Sequence, residues 1–310
     1  MRHVTFLAPA SPNAGFFSQI AAFRLALTRL RWTNWRPDLR VFFGGPVDMD
    51  AFRRWHAALS DVELLFLKQR DFEQHGYFAQ GDTRLWSAPV DTDVVVLVDA
   101  DTMPIGPLEE ILDRVFEERA VAGTVAHFSF PTGTGPASMG DWMSLAAGLI
   151  ERPLKFDHTY TLASPDEPER AKGPFYVNFG VVFIAGSILP LFRARYRALR
   201  QSAAERMHDP YFSAQVALTL AVTDLDLNAI PLPLTYNFPN DPSADARYPD
   251  ALADIRILHY LRPDVVDRNR IFTGADAYSE FLGQDLSGSN LMLQRFVRDN
   301  FGSEFPFQLA

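Results

Sequence analysis

The sequence contains no cysteine, which excludes disulfides and thiolate metal sites and removes any mark of an oxidising compartment. No apolar run approaches the roughly 18 residues needed to cross a bilayer, so no transmembrane segment is expected. The short apolar patch in MRHVTFLAPASPNAGFF reads as a first strand rather than a secretory signal. A cytoplasmic location is therefore expected. Basic clusters are also missing. With a formal charge of −9 and no dense Lys/Arg run, a nucleic-acid partner is not expected. Any polyanion must be held locally, by a few arginines or a metal ion.

What is present suits a folded globular chain: 310 residues, 47% hydrophobic and 22% charged. Twenty-two prolines and 26 phenylalanines point to many loops and an aromatic-rich interior. HVTFLAP (residues 3–9) reads as a strand. Ser18 is placed to cap a helix running through Arg31, because Ile20, Phe23, Leu27 and Leu30 recur at helical spacing. LRVFFGG (39–45), VELLFL (62–67) and VVVLV (94–98) read as further strands, with a helix in MDAFRRWHAAL between the first two. A helix in PLEEILDRVFEE and a strand in AVAGTVA follow.

Near-continuous apolar strands separated by helices predict an α/β fold with a mostly parallel sheet covered on both faces. Residues 131–174 are rich in Pro, Gly, Ser and charge and predict a lid or an acceptor-side insertion, with one helical piece around 142–150. Regularity resumes with the strand FGVVFIAG, helices near 189–203 and 211–222, and the segments LDLNAIPLP and IRILHY. No linker divides the chain.

The most informative stretch is VVVLVDADTMP, residues 94–104. On an extended chain, residues i and i+2 point the same way. Asp99 and Asp101 would then converge if strand conformation persists through Ala100. Two convergent carboxylates at the mouth of an apolar strand repel one another and lose hydration, and a divalent cation relieves both. Hard oxygen ligands suit Mg²⁺ or Mn²⁺. The alternatives are a helix cap with a solvated partner, or the paired aspartates of a haloacid-dehalogenase-like phosphatase. The phosphatase pattern normally has Thr or Val two residues beyond the second aspartate; here Met103 stands there.

Four further features bear on the choice: Arg84 fifteen residues before Asp99, Asn178 and Gly180 in FYVNFGVVFIAG, Gln215 in DPYFSAQVAL, and His259 closing IRILHY. With these in their order, the chain resembles the GT-A glycosyltransferases, in particular the glycogenin-like and bacterial retaining galactosyltransferase-like group (family 8 type). The resemblance runs over roughly residues 4–263 and weakens in the insertion. It implies a Rossmann-like GT-A domain over residues 1–265, with residues 266–310 as a helical, aromatic extension packed on the core.

The resemblance also implies a metal-dependent hexosyl transfer from a nucleotide sugar, UDP-linked, to an unidentified acceptor hydroxyl, with retention. Asp99, Asp101 and His259 would hold Mn²⁺ or Mg²⁺, and imidazole beside carboxylates favours Mn²⁺. Arg84 would approach the donor sugar and phosphates, Ala100 would line the donor, and Arg262 would stand in for the family's diphosphate lysine. Asn178 would contact the sugar, and Gln215 would lie beside the anomeric carbon. Ala8, Pro9, Ser11 and Asn13 would meet the nucleobase and ribose.

The sequence departs from the family at Ala214, where an aspartate is expected. Asp209 on the same helix is a compensating candidate, and with Asp141 a candidate base for an inverting reaction. Ala214 also keeps open a nucleotide-sugar-binding protein without turnover. The lack of a GxGxR-type glycine loop argues against a sugar nucleotidyltransferase. The C-terminal LMLQRFVRDNFGSEFPFQLA predicts an amphipathic helix whose trailing phenylalanines pack back on the core.

Overall fold

Val94–Val98 forms a strand in which every residue is buried, and it lies inside the central sheet. In the computed structural model, residues 1–68, 70, 84–163 and 171–309 are described. Residues 69, 71–83, 164–170 and 310 lie outside the described residues, among them part of the expected insertion and the last residue of the extension. The strands discussed below are β1 (Arg2–Ala10), β2 (Trp35–Phe43), β3 (Glu63–Phe66), β4 (Val94–Val98), β5 (Thr102–Pro104), β6 (Ala120–Val125), β7 (Val177–Ala185), β8 (Asn228–Leu232), β9 (Phe238–Pro239) and β10 (Ile257–His259).

Seven of them form one sheet in the order β8-β6-β7-β4-β1-β2-β3. All neighbours are parallel except β7, which runs against both β4 and β6. The lack of polar alternation in β4 follows from covering both faces. Val94, Val96 and Val98 join one apolar cluster while Val95 and Leu97 join the other. On the first face pack α1 (Ala14–Arg29), α2 (Met49–Trp55) and α3 (Glu109–Glu118); on the second pack α4 (Met139–Ala146), α5 (Leu189–Arg206) and α6 (Ser213–Asp224). The mostly parallel α/β architecture expected from the sequence is the one observed, with the antiparallel β7 added. Among the described residues no helix is long and apolar enough to cross a membrane.

Helix α1 corrects one expectation. Its cap is Asn13, whose Oδ1 accepts from the Phe16 N–H at 3.2 Å, and the helix ends at Arg29. Ser18 lies inside the helix and gives its hydroxyl to the Gly15 carbonyl at 2.7 Å. The earlier start brings Phe17 into the core beside Phe43. A periodicity search finds the middle of such a helix before it finds the cap.

A second sheet of three strands, β9-β10-β5, stands off the carboxyl end of β4. β10 runs antiparallel to β5 with His259 opposite Thr102. Helices α7 (Ala275–Gly283) and α8 (Gly288–Phe301) cover it through a third apolar cluster that includes Tyr260, Phe272, Tyr278 and Phe301. Phe305 and Phe307 fold back onto Trp55, with ring centroids 6.5 and 5.5 Å away. The C-terminal phenylalanines are thus packed on the core.

Candidate active site

The strand conformation of β4 does not persist through Ala100, as the i, i+2 argument required. It stops at Val98, and Asp99 to Asp101 form a tight turn. The Asp99 carbonyl accepts from the Thr102 N–H at 3.2 Å and from the Thr102 hydroxyl at 2.7 Å. The turn brings the two carboxylates together by reversing the chain into β5. Because β5 pairs with β10, the chain after His259 is fixed beside the same turn. The Tyr260 N–H donates to the Asp101 carbonyl at 2.9 Å.

Ligand atoms of Asp99, Asp101 and His259 lie within 4.8 Å of one another. His259 Nε2 is 3.2 Å from Asp101 Oδ1 and 3.9 Å from Asp99 Oδ2. His259 and Asp101 are nearly enclosed, while Asp99 is more open. Burial alone would lower the His259 pKa, yet the Asp101 carboxylate, helped by Asp99, holds it above the ordinary histidine value. Burial likewise works to raise Asp101, but His259 and Arg268 hold its carboxyl below the usual range.

A chain of amides orients the imidazole. Its Nδ1 faces Asn237 Oδ1 at 3.0 Å. Asn237 Nδ2 donates to Asn178 Oδ1 at 3.0 Å, and that oxygen also accepts from the Gly180 N–H at 2.8 Å. Asn237 must therefore present its carbonyl to the ring, which puts the proton on Nδ1 and aims Nε2 at the carboxylates.

Asn178 and Gly180 come from an irregular stretch of β7. Between Val177 and Val182 the strand loses register with β6, and such bulges re-aim side chains beside functional sites. The bulge's polar groups have partners. Asp99 N–H donates to the Gly180 carbonyl at 2.9 Å, Phe179 N–H to Gln215 Oε1 at 3.3 Å, and Arg84 Nη2 to the Phe179 carbonyl at 3.2 Å. Gly180 is required by close approach. A Cβ there would stand 2.6 Å from His259 Cε1, 2.8 Å from Asn178 Oδ1 and 2.9 Å from Asp99 Oδ2.

This donor set fits a small hard cation: two carboxylates and an oriented imidazole around a spot kept clear by glycine. Asp99, Asp101 and His259 are the residues that would hold it.

The other expected residues fall into two groups. Asn178 and Gln215 join the site through the β7 bulge. Arg84 lies beneath it, only 1% exposed, donating to the Val98 carbonyl at 2.9 Å and facing Asp99 Oδ1 at 3.4 Å. Its guanidinium also stacks over Phe179 at 4.6 Å. Ala8 and Pro9 lie where β1 outruns β4: pairing with β4 ends at Leu7, while pairing with β2 continues to Ala10. Ser11 follows, its carbonyl accepting from the Asn13 N–H at 2.9 Å. Ala100, between the aspartates, is buried.

Four residues have local partners. Asn13 caps α1. Asp209 caps a short helical turn by accepting from the Tyr211 N–H at 2.9 Å. Asp141 completes a capping box with Ser138 at the start of α4. Arg262 pairs with Asp241 at 3.1 Å.

Sequence reasoning missed Asn237, Arg268 and Tyr211. Arg268 is ion-paired with Asp101 Oδ2. Tyr211 is largely exposed; partial desolvation of its hydroxyl first, and the negative charges of Asp99 and Asp101 second, push its phenol pKa up. Arg268 stands in the run DRNR, which carried no spacing signal.

No protein-family model matches the sequence, and no curated protein sequence matches it either. Among solved structures, the chain is similar to the galactosyltransferase LgtC in complex with donor and acceptor sugar analogs. That similarity has a TM-score of 0.54 at 13% identity, covering 84% of this chain and 87% of LgtC. The apo structure of the bifunctional glycosyltransferase WbbM matches with TM-score 0.54 at 15% identity over 84% of this chain. This chain spans 46% of WbbM, about half its length. An active-site mutant of LgtC matches at TM-score 0.50 and 12% identity, covering 84% of this chain and 88% of the mutant. The fold is thus the GT-A fold of these glycosyltransferases.

Proposed function

We propose that the protein is a divalent-metal-dependent glycosyltransferase that moves a hexosyl group from a UDP-sugar to an acceptor hydroxyl, with retention. The observation that carries this reading is the convergence of Asp99, Asp101 and His259 at the carboxyl end of β4, on a spot kept clear by Gly180. In open α/β sheets ligands bind at that edge. Mn²⁺ or Mg²⁺ held there would offset the negative charge developing on the departing nucleoside diphosphate.

The chain's own residues supply the rest. Ala8, Pro9, Ser11, Asn13 and Ala100 form the donor side, where β1 and the turn after β4 meet. Arg84 positions Asp99 and the β7 bulge from below. Asn178 and Gln215 present amides at the bulge, where they orient the sugar. Gln215 is a poor covalent nucleophile, which favours same-face substitution, with the leaving phosphate helping to deprotonate the acceptor. Asp141 and Asp209 are engaged as caps, which weighs against either as the base of an inverting reaction. The haloacid-dehalogenase-like alternative is not favoured: Asp99 and Asp101 lie on a turn braced by His259, and the solved structures above are glycosyltransferases.

A second reading, donor binding without turnover, is kept by Ala214 alone. Incubation with a panel of UDP-sugars and Mn²⁺, measuring UDP release, separates the two. Release that rises with an acceptor and falls at least ~100-fold in Asp101→Asn supports transfer, since such electrostatic contributions run to about 10²–10³ in rate. Unchanged release in Asp101→Asn sinks the metal assignment. Donor binding with no release favours the binding protein.

A further inference from the structure

The carboxylate of Asp101 has two occupants in this structure. Oδ1 faces His259 at 3.2 Å, and Oδ2 is ion-paired with Arg268. Arg268 belongs to the segment between β10 and α7, whose neighbours are firmly anchored. Val266, Ile271 and Phe272 are buried in the third apolar cluster. Asn269 Oδ1 accepts from the buried Gln19 amide at 3.1 Å, and the Asn269 backbone and Cβ pack so tightly on Gly15 that a Cβ there would stand 3.0 Å from the Asn269 carbonyl oxygen. The segment therefore bridges the first turn of α1 and the aspartate turn. Arg268 itself is a partly exposed side chain on a fixed backbone, with its side chain 35% exposed.

We infer that Arg268 and the divalent cation compete for Asp101, and that the guanidinium displaced by the cation becomes a ligand of the donor's diphosphate. The inference rests on the metal-and-donor reading above. Its basis is a count of charge. Asp99 and Asp101 bring two negative charges, and Arg84 and Arg268 face them with two positive ones. With His259 neutral, as a metal ligand must be, these charges balance, so a divalent cation entering the cluster leaves it strongly positive, and like charges in a poorly solvated site repel. Two things relieve the excess: Arg268 leaves Asp101, and an anion arrives. A diphosphate supplies the anion, and arginine's fork suits its oxygens.

The cation alone is thus bound weakly and the cation with nucleotide strongly. Arg268 couples the two. Because the backbone on either side is anchored, the exchange needs a side-chain rotation and no opening of the segment.

The test is calorimetric titration of the full chain with Mn²⁺ alone, and with UDP in saturating Mn²⁺, for wild type, Arg268→Gln and Arg268→Lys. Arg268→Gln is expected to bind Mn²⁺ alone about tenfold more tightly and UDP about tenfold more weakly, the scale of one charge-assisted contact. Arg268→Lys, which keeps the charge, is expected to bind Mn²⁺ alone like wild type. A merely structural arginine would weaken both affinities or neither. Mn²⁺ binding by Arg268→Gln that equals or falls below wild type overturns the exchange while leaving the metal site standing. If neither wild type nor Arg268→Gln binds Mn²⁺, with or without UDP, the metal reading itself falls and takes the exchange with it. Thermal melts of both variants check folding, and Arg268→Lys carries the comparison if Arg268→Gln is unfolded: its Mn²⁺ affinity departing from wild type in either direction by tenfold then overturns the proposal.

Discussion

A methyl group at position 180 would point straight at the imidazole and the first carboxylate, 2.6 Å from His259 Cε1 and 2.9 Å from Asp99 Oδ2. Real Cβ atoms do not tolerate such contacts, and both neighbours are fixed by hydrogen bonds or burial. Gly180→Ala should therefore lower Mn²⁺ affinity by at least ~10-fold, the cost typical of disturbing the groups that orient metal ligands. Calorimetric titration checks this, and wild-type affinity in the variant would remove Gly180 from the argument. At this scale much of the site was legible. Asp99 and Asp101 announced themselves because carboxylates seldom end a buried apolar run, and His259 because it closes another. Asn237 and Arg268 were not legible. Their importance comes from what tertiary folding brings beside them, and no local spacing records that.

Helix ends and strand directions carry the next level. Helix α3 ends at Arg119, which holds a left-handed backbone with φ of 51°. Such a conformation costs a non-glycine residue about 1–2 kcal/mol, partly offset by the greater flexibility of glycine when unfolded. Arg119→Gly should accordingly stabilise the protein by about 0.5–1 kcal/mol, read from the midpoint of urea unfolding at unchanged slope. A lower midpoint would show that the Arg119 side chain contributes more than its backbone loses. The apolar runs located β1, β4 and β6 well, because burial on both faces leaves a plain signature. Direction left none: β7 reads like its neighbours and runs the other way. The turn at Asp99 was also hidden, since an extended chain and a tight turn both bring residues two apart to one place.

For the whole molecule, one half-buried histidine ties stability to pH. His127 lies just past β6, with Nδ1 2.6 Å from the Thr161 hydroxyl. Burial first, and repulsion from His259 second, lower its pKa to about 4. The folded state thus keeps it neutral where the unfolded chain, at 6.5, takes up a proton. Stability is unaffected above that value and falls as pH drops toward 4, by about 3 kcal/mol in total for a shift of this size. In His127→Asn that part of the acid dependence should vanish, as urea unfolding at pH 7 and pH 4.5 would show; an equally steep loss in the variant would place the acid sensitivity elsewhere. The antiparallel course of β7 has a consequence of its own. The chain leaves the sheet at the end of β6 and re-enters at the start of β7, and Ala126 N–H donates to the Tyr176 carbonyl at 2.9 Å, tying the two stems together. The described residues between them, 127–163 and 171–175, leave and rejoin the sheet at neighbouring points, and Phe130, Trp142 and Tyr160 among them pack on its second face. Because both stems sit on adjacent strands, a change in the length of this excursion leaves the register of β6 and β7 untouched, while a change at Trp142 reaches the sheet through the face it covers.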